Sequence, residues 1–232
     1  MKKLVIEHLR KSFDKKIVLD DIDFVFEEGK IYGLLGRNGA GKTTLFNCLN
    51  EDTPIDQGKY YFMENEDKLP LVNHLGYALS VPVVPDFLTG REFLKFFIEI
   101  NENKMTEIKP LDDYFELVHI ELEDRDKLIK DYSLGMKNKM QLLINIIANP
   151  DILLLDEPLT SLDVVVAQEM EELLKEIKQS RILILSTHIM ELALNLCDEI
   201  VILNHGRLSL ISKDDLDKDT LKQKIIAALK EE

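Results

Sequence analysis

The chain has 232 residues, enough for one domain or one domain with an inserted lobe, and enough to hide ~70% of the surface of its unfolded form. Its 29 basic and 43 acidic residues leave a net charge of −14, which argues against a nucleic-acid partner, because neutralising phosphates needs a basic footprint; a local basic pocket for a small polyanion stays open. No apolar run approaches the ~18–20 residues that cross a bilayer, the opening MKKLVIEHLRKSF is no signal peptide, and Cys48 and Cys197 read as free thiols of a reducing cytosol.

In chain order, Val18–Phe26 alternates Ile22, Phe24 and Phe26 with Asp21 and Asp23 and predicts a half-buried strand. A short apolar run, Ile31–Leu35, comes next, then a helical pattern over Gly41–Asn50 and an edge strand at Tyr60-Tyr61-Phe62. Gly90–Glu102 sets Phe93, Phe96, Phe97 and Ile100 at spacings of three and four, the stripe of an amphipathic helix. Leu134–Ala148 reads as a helix behind Ser133, a good N-cap. Ile152–Leu155, Ile182–Leu185 and Ile200–Leu203 are continuous apolar runs suited to parallel strands covered on both faces, with helical patterns at Val164–Lys178 and Ile189–Leu196 between them. Strands alternating with helices predict an α/β fold with a mainly parallel sheet. The stretch from about Pro82 to Asn149 breaks that rhythm and reads as an inserted helical lobe. Residues 213–232 read as a solvated terminal helix.

Gly36-Arg37-Asn38-Gly39-Ala40-Gly41-Lys42-Thr43 matches G-x-x-x-x-G-K-[ST] in full. Glycines let a loop turn its N–H groups inward around a phosphate, and the helix beyond it, entered through Thr44, adds its positive end. Lys42 is placed to reach the β- and γ-phosphates and Thr43 to hold Mg²⁺. A chance glycine turn is disfavoured by the apolar run before it and the helical pattern after it. Ile152–Leu155 ends in Asp156 and Glu157, and ligands of parallel sheets bind beyond the carboxyl ends of strands. Asp156 is thus a candidate for Mg²⁺ through a water, and Glu157 for polarising the attacking water; taken alone, the pair fits a plain strand cap before Pro158 equally well.

These residues resemble the ATP-binding subunits of ABC transporters, over about Leu4 to Ser212. Ser161-Leu162-Asp163 looks like the family's D-loop, Ser186-Thr187-His188 like its switch region, and Phe13 like the aromatic that stacks on adenine. Tyr132-Ser133-Leu134-Gly135-Met136 stands in the place of the signature LSGGQ, with Leu134 and Met136 as departures, and Ser80 stands where the Q-loop glutamine belongs. On its own, His188 reads as a structural or surface histidine; plain core is the lesser alternative to adenine stacking for Phe13, and Lys137 and Lys139 read as solvated helix charges.

The resemblance implies an ATPase with a P-loop core of mainly parallel sheet, an N-terminal antiparallel β region and an α-helical subdomain: core about 1–80 and 150–212, helical subdomain about 81–149, tail 213–232. It assigns nucleotide contacts to Phe13, Gly36 to Thr44, Ser133, Gly135 and Asp163, Mg²⁺ contacts to Thr43, Asp156 and Ser80, and catalysis to Lys42, Glu157 and His188. It also implies a transmembrane permease encoded separately, a head-to-tail dimer with itself or a related subunit, and a cytoplasmic location at the inner face of the membrane. A soluble ATP-dependent switch is the alternative; a small-molecule kinase shares the phosphate loop but gives no reason for Ser133–Gly135 or Ser161–Asp163.

Overall fold

The computed structural model describes residues 1–105, 107–160, 162–211 and 217–230. In chain order the elements are β1 (Lys2–Phe13), β2 (Lys16–Glu27), β3 (Lys30–Leu35), α1 (Lys42–Leu49), β4 (Gln57–Glu64), β5 (Asp67–Leu69), β6 (Leu75–Ala78), α2 (Gly90–Asn101), α3 (Leu111–Leu117), α4 (Leu134–Ala148), β7 (Ile152–Asp156), α5 (Val164–Ile177), β8 (Ile182–Thr187), α6 (Met190–Leu196), β9 (Glu199–Asn204), β10 (Arg207–Ile211) and α7 (Lys218–Lys230). Four strands form an antiparallel sheet in the order β2-β1-β4-β5. Six form a second sheet in the order β10-β9-β3-β8-β7-β6, parallel except for β10.

The central strands are apolar throughout because both faces are covered. In β7, Ile152 and Leu154 join the core shared with the antiparallel sheet and α1, around Leu4, Phe26, Phe46 and Phe62. Leu153 and Leu155 point the other way, into the core formed with the helices, around Phe115, Met140 and Leu174. β3 divides likewise, with Tyr32 and Leu34 on one side and Ile31 and Leu35 on the other. Each such side chain contributes about 1.5–3 kcal/mol when fully buried, so these short strands are strongly held on both faces. Both cysteines are buried thiols not joined in a disulfide, and desolvation pushes the Cys48 thiol up to about 11.

Four expectations change, the first at Lys139, which is no solvated helix charge: it is 6% exposed, donates to the His119 carbonyl at 2.9 Å and pairs with Glu169 at 2.6 Å. The edge expected at Tyr60–Phe62 holds only in part: Phe62 pairs with Leu69 of the three-residue β5, whereas Tyr60 and Tyr61 pair with β1 alone among the described strands. In α2 the buried arc is Gly90, Phe93, Leu94 and Ile98 with Phe97 packed on it, while Phe96 and Ile100 face out at 53% and 60% exposure; the spacing holds and the arc is rotated by one position. The terminal helix α7 is packed, not solvated: Leu221 and Ile225 join the core, and Asn204 Nδ2 donates to the Ala228 carbonyl. Of the sequence motifs, Ser161 lies outside the described residues, as do residue 212 and, in the tail, 213–216 and 231–232.

Ile225 is fully buried whereas Lys224 beside it is exposed. Ile225→Ala is therefore expected to cost about 2–4 kcal/mol in urea unfolding and Lys224→Ala no more than about 0.5. Equal effects would mean that α7 is not docked in solution.

Candidate functional site

Parallel pairing sets Leu35 opposite Thr187 and Ser186 opposite Asp156, so β3, β8 and β7 end side by side. The segments that leave these three strands therefore meet at one edge of the sheet. After β3 comes the glycine loop, in which Gly39 and Gly41 take φ of 80° and 108°, values that disfavour a side chain. A Cβ on Gly36 would lie 2.8 Å from the Leu203 carbonyl oxygen, so the loop runs tight against β9. Helix α1 starts at Lys42 without a side-chain cap, which leaves its first N–H groups for a ligand. The Lys42 ammonium is buried and folds back across the loop to donate to the Gly36 carbonyl at 2.8 Å.

Thr43 Oγ1 donates to Asp156 Oδ2 at 2.9 Å, and the fully buried Ser186 hydroxyl donates to the other oxygen of the same carboxylate. Asp156 is only 4% exposed and is held by two hydroxyls. The next residue, Glu157, adopts φ 50°, in the left-handed region. Its N–H donates to the Ser186 carbonyl at 3.2 Å and lies 3.1 Å from the Ser186 hydroxyl. Its carboxylate accepts from Thr160 Oγ1 at 2.9 Å and sits 3.0 and 3.1 Å from His188 Nδ1. Nearby, burial, reinforced by the charge of Asp156, keeps the Tyr77 phenol above its ordinary range; it donates to Asn47 Oδ1 at 3.2 Å.

A cavity of about 380 Å³ is lined by Phe13, Val18, Asn38, Gly39, Gly41 to Thr44, Ser80, Asp156 and Glu157. A second, of about 420 Å³, shares Asn38, Ser80 and Glu157 and adds Thr160, His188 and Leu134. Phe13 is 48% exposed at the cavity, with the Lys11 ammonium 5.0 Å from its ring centroid. Arg37 and Ala40 line a larger hollow of about 810 Å³ that also meets Asn38 and Gly39, and Gly36 lines none of these. Ser133 caps α4, accepting from Met136 N at 3.2 Å, and neither it nor Gly135 lines a cavity that holds Lys42 or Glu157. Asp163 caps α5, accepting from Val165 N and Val166 N at 3.0 Å, and is likewise outside them.

Two contacts escape the sequence reading. Thr160 bonds Glu157, and nothing in its sequence setting marks it. Ser186 bonds Asp156; two hydroxyl residues ending an otherwise apolar strand are the signal. Thr43 and Asp156 offer oxygen donors only, the chemistry of a hard cation such as Mg²⁺.

A glycine loop with open amides, a lysine folded across it and a hydroxyl–carboxylate pair at a neighbouring strand end make up the site of a P-loop nucleotide hydrolase. The family profile described as ABC transporter matches residues 19–160. An uncharacterized ABC transporter ATP-binding protein of Methanocaldococcus jannaschii is 38% identical over 208 residues, covering 88% of this chain and 75% of that one. A lantibiotic transport ATP-binding protein of Streptococcus pyogenes is 29% identical over 214 residues, covering 91% of each. Of some longer relatives the chain spans only 12%. Among solved structures, a dimeric ATP-binding cassette in a post-hydrolysis state with ADP and Pi has the same fold, with a TM-score of 0.76 over 92% of this chain and 100% of that one, at 16% identity. The chain belongs to the ABC transporter ATP-binding family and is an ATPase of that class.

Ser186→Ala removes a buried donor from Asp156. It is expected to cost about 1–3 kcal/mol in stability and to raise the Mg²⁺ concentration that half-saturates hydrolysis. Unfolding curves and a Mg²⁺ titration at fixed ATP check both.

Proposed function

We propose that this chain is the ATP-hydrolysing subunit that powers a membrane permease encoded separately. The observation that carries the chemistry is the Glu157 carboxylate, held by Thr160 and His188 next to Asp156 and the phosphate loop. Phe13 stacks on the adenine. The amides of residues 36–44 and the Lys42 ammonium, released from the Gly36 carbonyl, bind the phosphates. Thr43 and Asp156 hold Mg²⁺, with Ser80 reaching it through a water. When bound, Mg²⁺ neutralises developing charge on the phosphates. Glu157 takes the proton of the attacking water, and His188 orients that carboxylate and contacts the γ-phosphate.

The permease is supported by the transport name of the S. pyogenes relative, which has nearly the same length, and by Val81, Val83 and Phe87, exposed at 73%, 68% and 79% beside Ser80. Among the described residues no helix is long and apolar enough to cross a membrane, so a partner would supply the spans and hold this subunit at the inner face. In this reading residues 1–80 and 150–212 form the ATP-binding core and 81–149 the subdomain that meets the permease. The dimeric cassette of the same fold supports a head-to-tail dimer with a second copy or a related subunit, in which Ser133, Gly135 and Asp163 act on the partner's nucleotide. Their places outside this chain's own cavity accord with that arrangement.

Glu157→Gln should keep ATP binding and cut turnover by roughly 10²–10⁴-fold, trapping an ATP-bound dimer on a sizing column. Near-normal turnover would remove Glu157 from the role of base. For the dimer, mixing Lys42→Ala with Ser133→Arg subunits creates one composite site with both lesions and one with neither. Hydrolysis should return in the mixture; its absence, with both variants folded and dimeric, would count against action across the interface.

A further inference from the structure

We infer that Gln141 is a positioning residue that fixes the Ser80 loop to helix α4 and so sets where that loop stands against the nucleotide. The observation is a two-point amide clamp. Gln141 Nε2 donates to the Leu79 carbonyl at 2.8 Å, and Gln141 Oε1 accepts from the Val83 N–H at 3.1 Å. A donor facing a carbonyl and an acceptor facing an N–H fix which way the amide lies. Gln141 is 6% exposed, so both bonds are made away from water, where an unmet backbone group is costly.

The clamp matters because the loop has little else. Strand pairing of β6 with β7 ends at Ala78 opposite Leu155. Beyond it, Leu79, Val81 and Val83 point outward, at 37%, 73% and 68% exposure, and apolar anchoring resumes only at Val84, which packs on the core. Between the two clamped backbone groups lies Ser80, which lines both the 380 and the 420 Å³ cavities. A serine has a short reach, so its usefulness to a metal-bound water depends on where its backbone stands. Gln141 supplies that reference from a helix, about two turns beyond the Ser133 cap. A shift of α4 would thus carry Ser80 with it, relative to Lys42 and Asp156 on the sheet. The positioning role rests on the nucleotide-site reading; the clamp itself, and the first test of it, do not.

Gln141→Met keeps the volume and removes both bonds; Gln141→Glu keeps only the acceptor. In hydrogen exchange of the nucleotide-free protein, the Val83 amide should lose about tenfold in protection in the Met variant, with amides of β7 unchanged, and should keep most of it in the Glu variant. In the Met variant the Mg²⁺ concentration for half-maximal hydrolysis should rise several-fold, while binding of a fluorescent ATP analogue in EDTA stays as in the unaltered protein. Unaltered Val83 protection overturns the clamp. Lost protection with a superimposable Mg²⁺ curve overturns the positioning role and leaves a structural one. Failure of the unaltered protein to bind the ATP analogue would instead sink the nucleotide-site reading, whatever the exchange shows. Should the Met variant not fold, Gln141→Leu and Gln141→Glu carry the same comparison.

Discussion

The site depends on one register. β8 pairs in parallel with β3 on one side and with β7 on the other, and the pairing brings Leu35, Thr187, Ser186 and Asp156 level at the carboxyl ends. A slip of one residue would turn every apolar side chain of a strand to its opposite face, so the double-sided core guards the register strongly. The glycine loop, the Asp156–Glu157 pair and His188 are thus brought together by the hydrophobic packing of the strands that lead into them. Their chemistry is positioned by Ile152 to Leu155 and Ile182 to Leu185.

Against that rigid background the polar groups are arranged in a chain. Thr43 and Ser186 each donate to Asp156, and Thr160 and His188 flank Glu157. Glu157 holds a left-handed backbone, a conformation of order 1 kcal/mol or more for such a residue, and its N–H is bound back to Ser186. The strain turns the carboxylate out of the line of the strand, toward the cavity that Asp156 also lines. The Ser80 loop is the opposite case: it lies beyond the strand ladder and takes its place from a single side chain of α4.

Much of this is legible in the sequence because strong local signals agree with the global pattern. The four-residue apolar runs, the glycine loop leading into a helix and the Ser133 cap are all found as read, since each is fixed by residue type and short spacing. Misreadings arise where tertiary packing decides. Tyr60–Phe62 has the look of an edge, and only pairing of Phe62 with Leu69 of β5 makes its last residue internal. Phe96 and Ile100 fit the α2 stripe as well as Leu94 and Ile98 do, and the neighbour's shape selects among them. The polar alternation of α7 hides the two side chains that anchor it. Gln141 is invisible because a hydrogen bond to a group 62 residues away leaves no period in a sequence, and Thr160 because a lone hydroxyl three residues from its partner leaves none either.

The strand order has a consequence for the timing of synthesis. The β1–β2 hairpin is local and can close at once, and β4 joins it a few dozen residues later. β3 is different: its neighbours in the sheet are β8 and β9, whose residues begin at Ile182 and Glu199. At a ribosome's pace of ~5–20 residues per second, β3 waits roughly 7–30 s for its first partner strand. Throughout that interval Ile31–Leu35 and the glycine loop behind it have no parallel neighbour, so the nascent chain carries a bare apolar ribbon. Its early shelter is the face of the antiparallel sheet, against which Tyr32 and Leu34 come to rest. The N-terminal sheet thus serves the newborn chain as a cradle for the strand that later leads into the glycine loop.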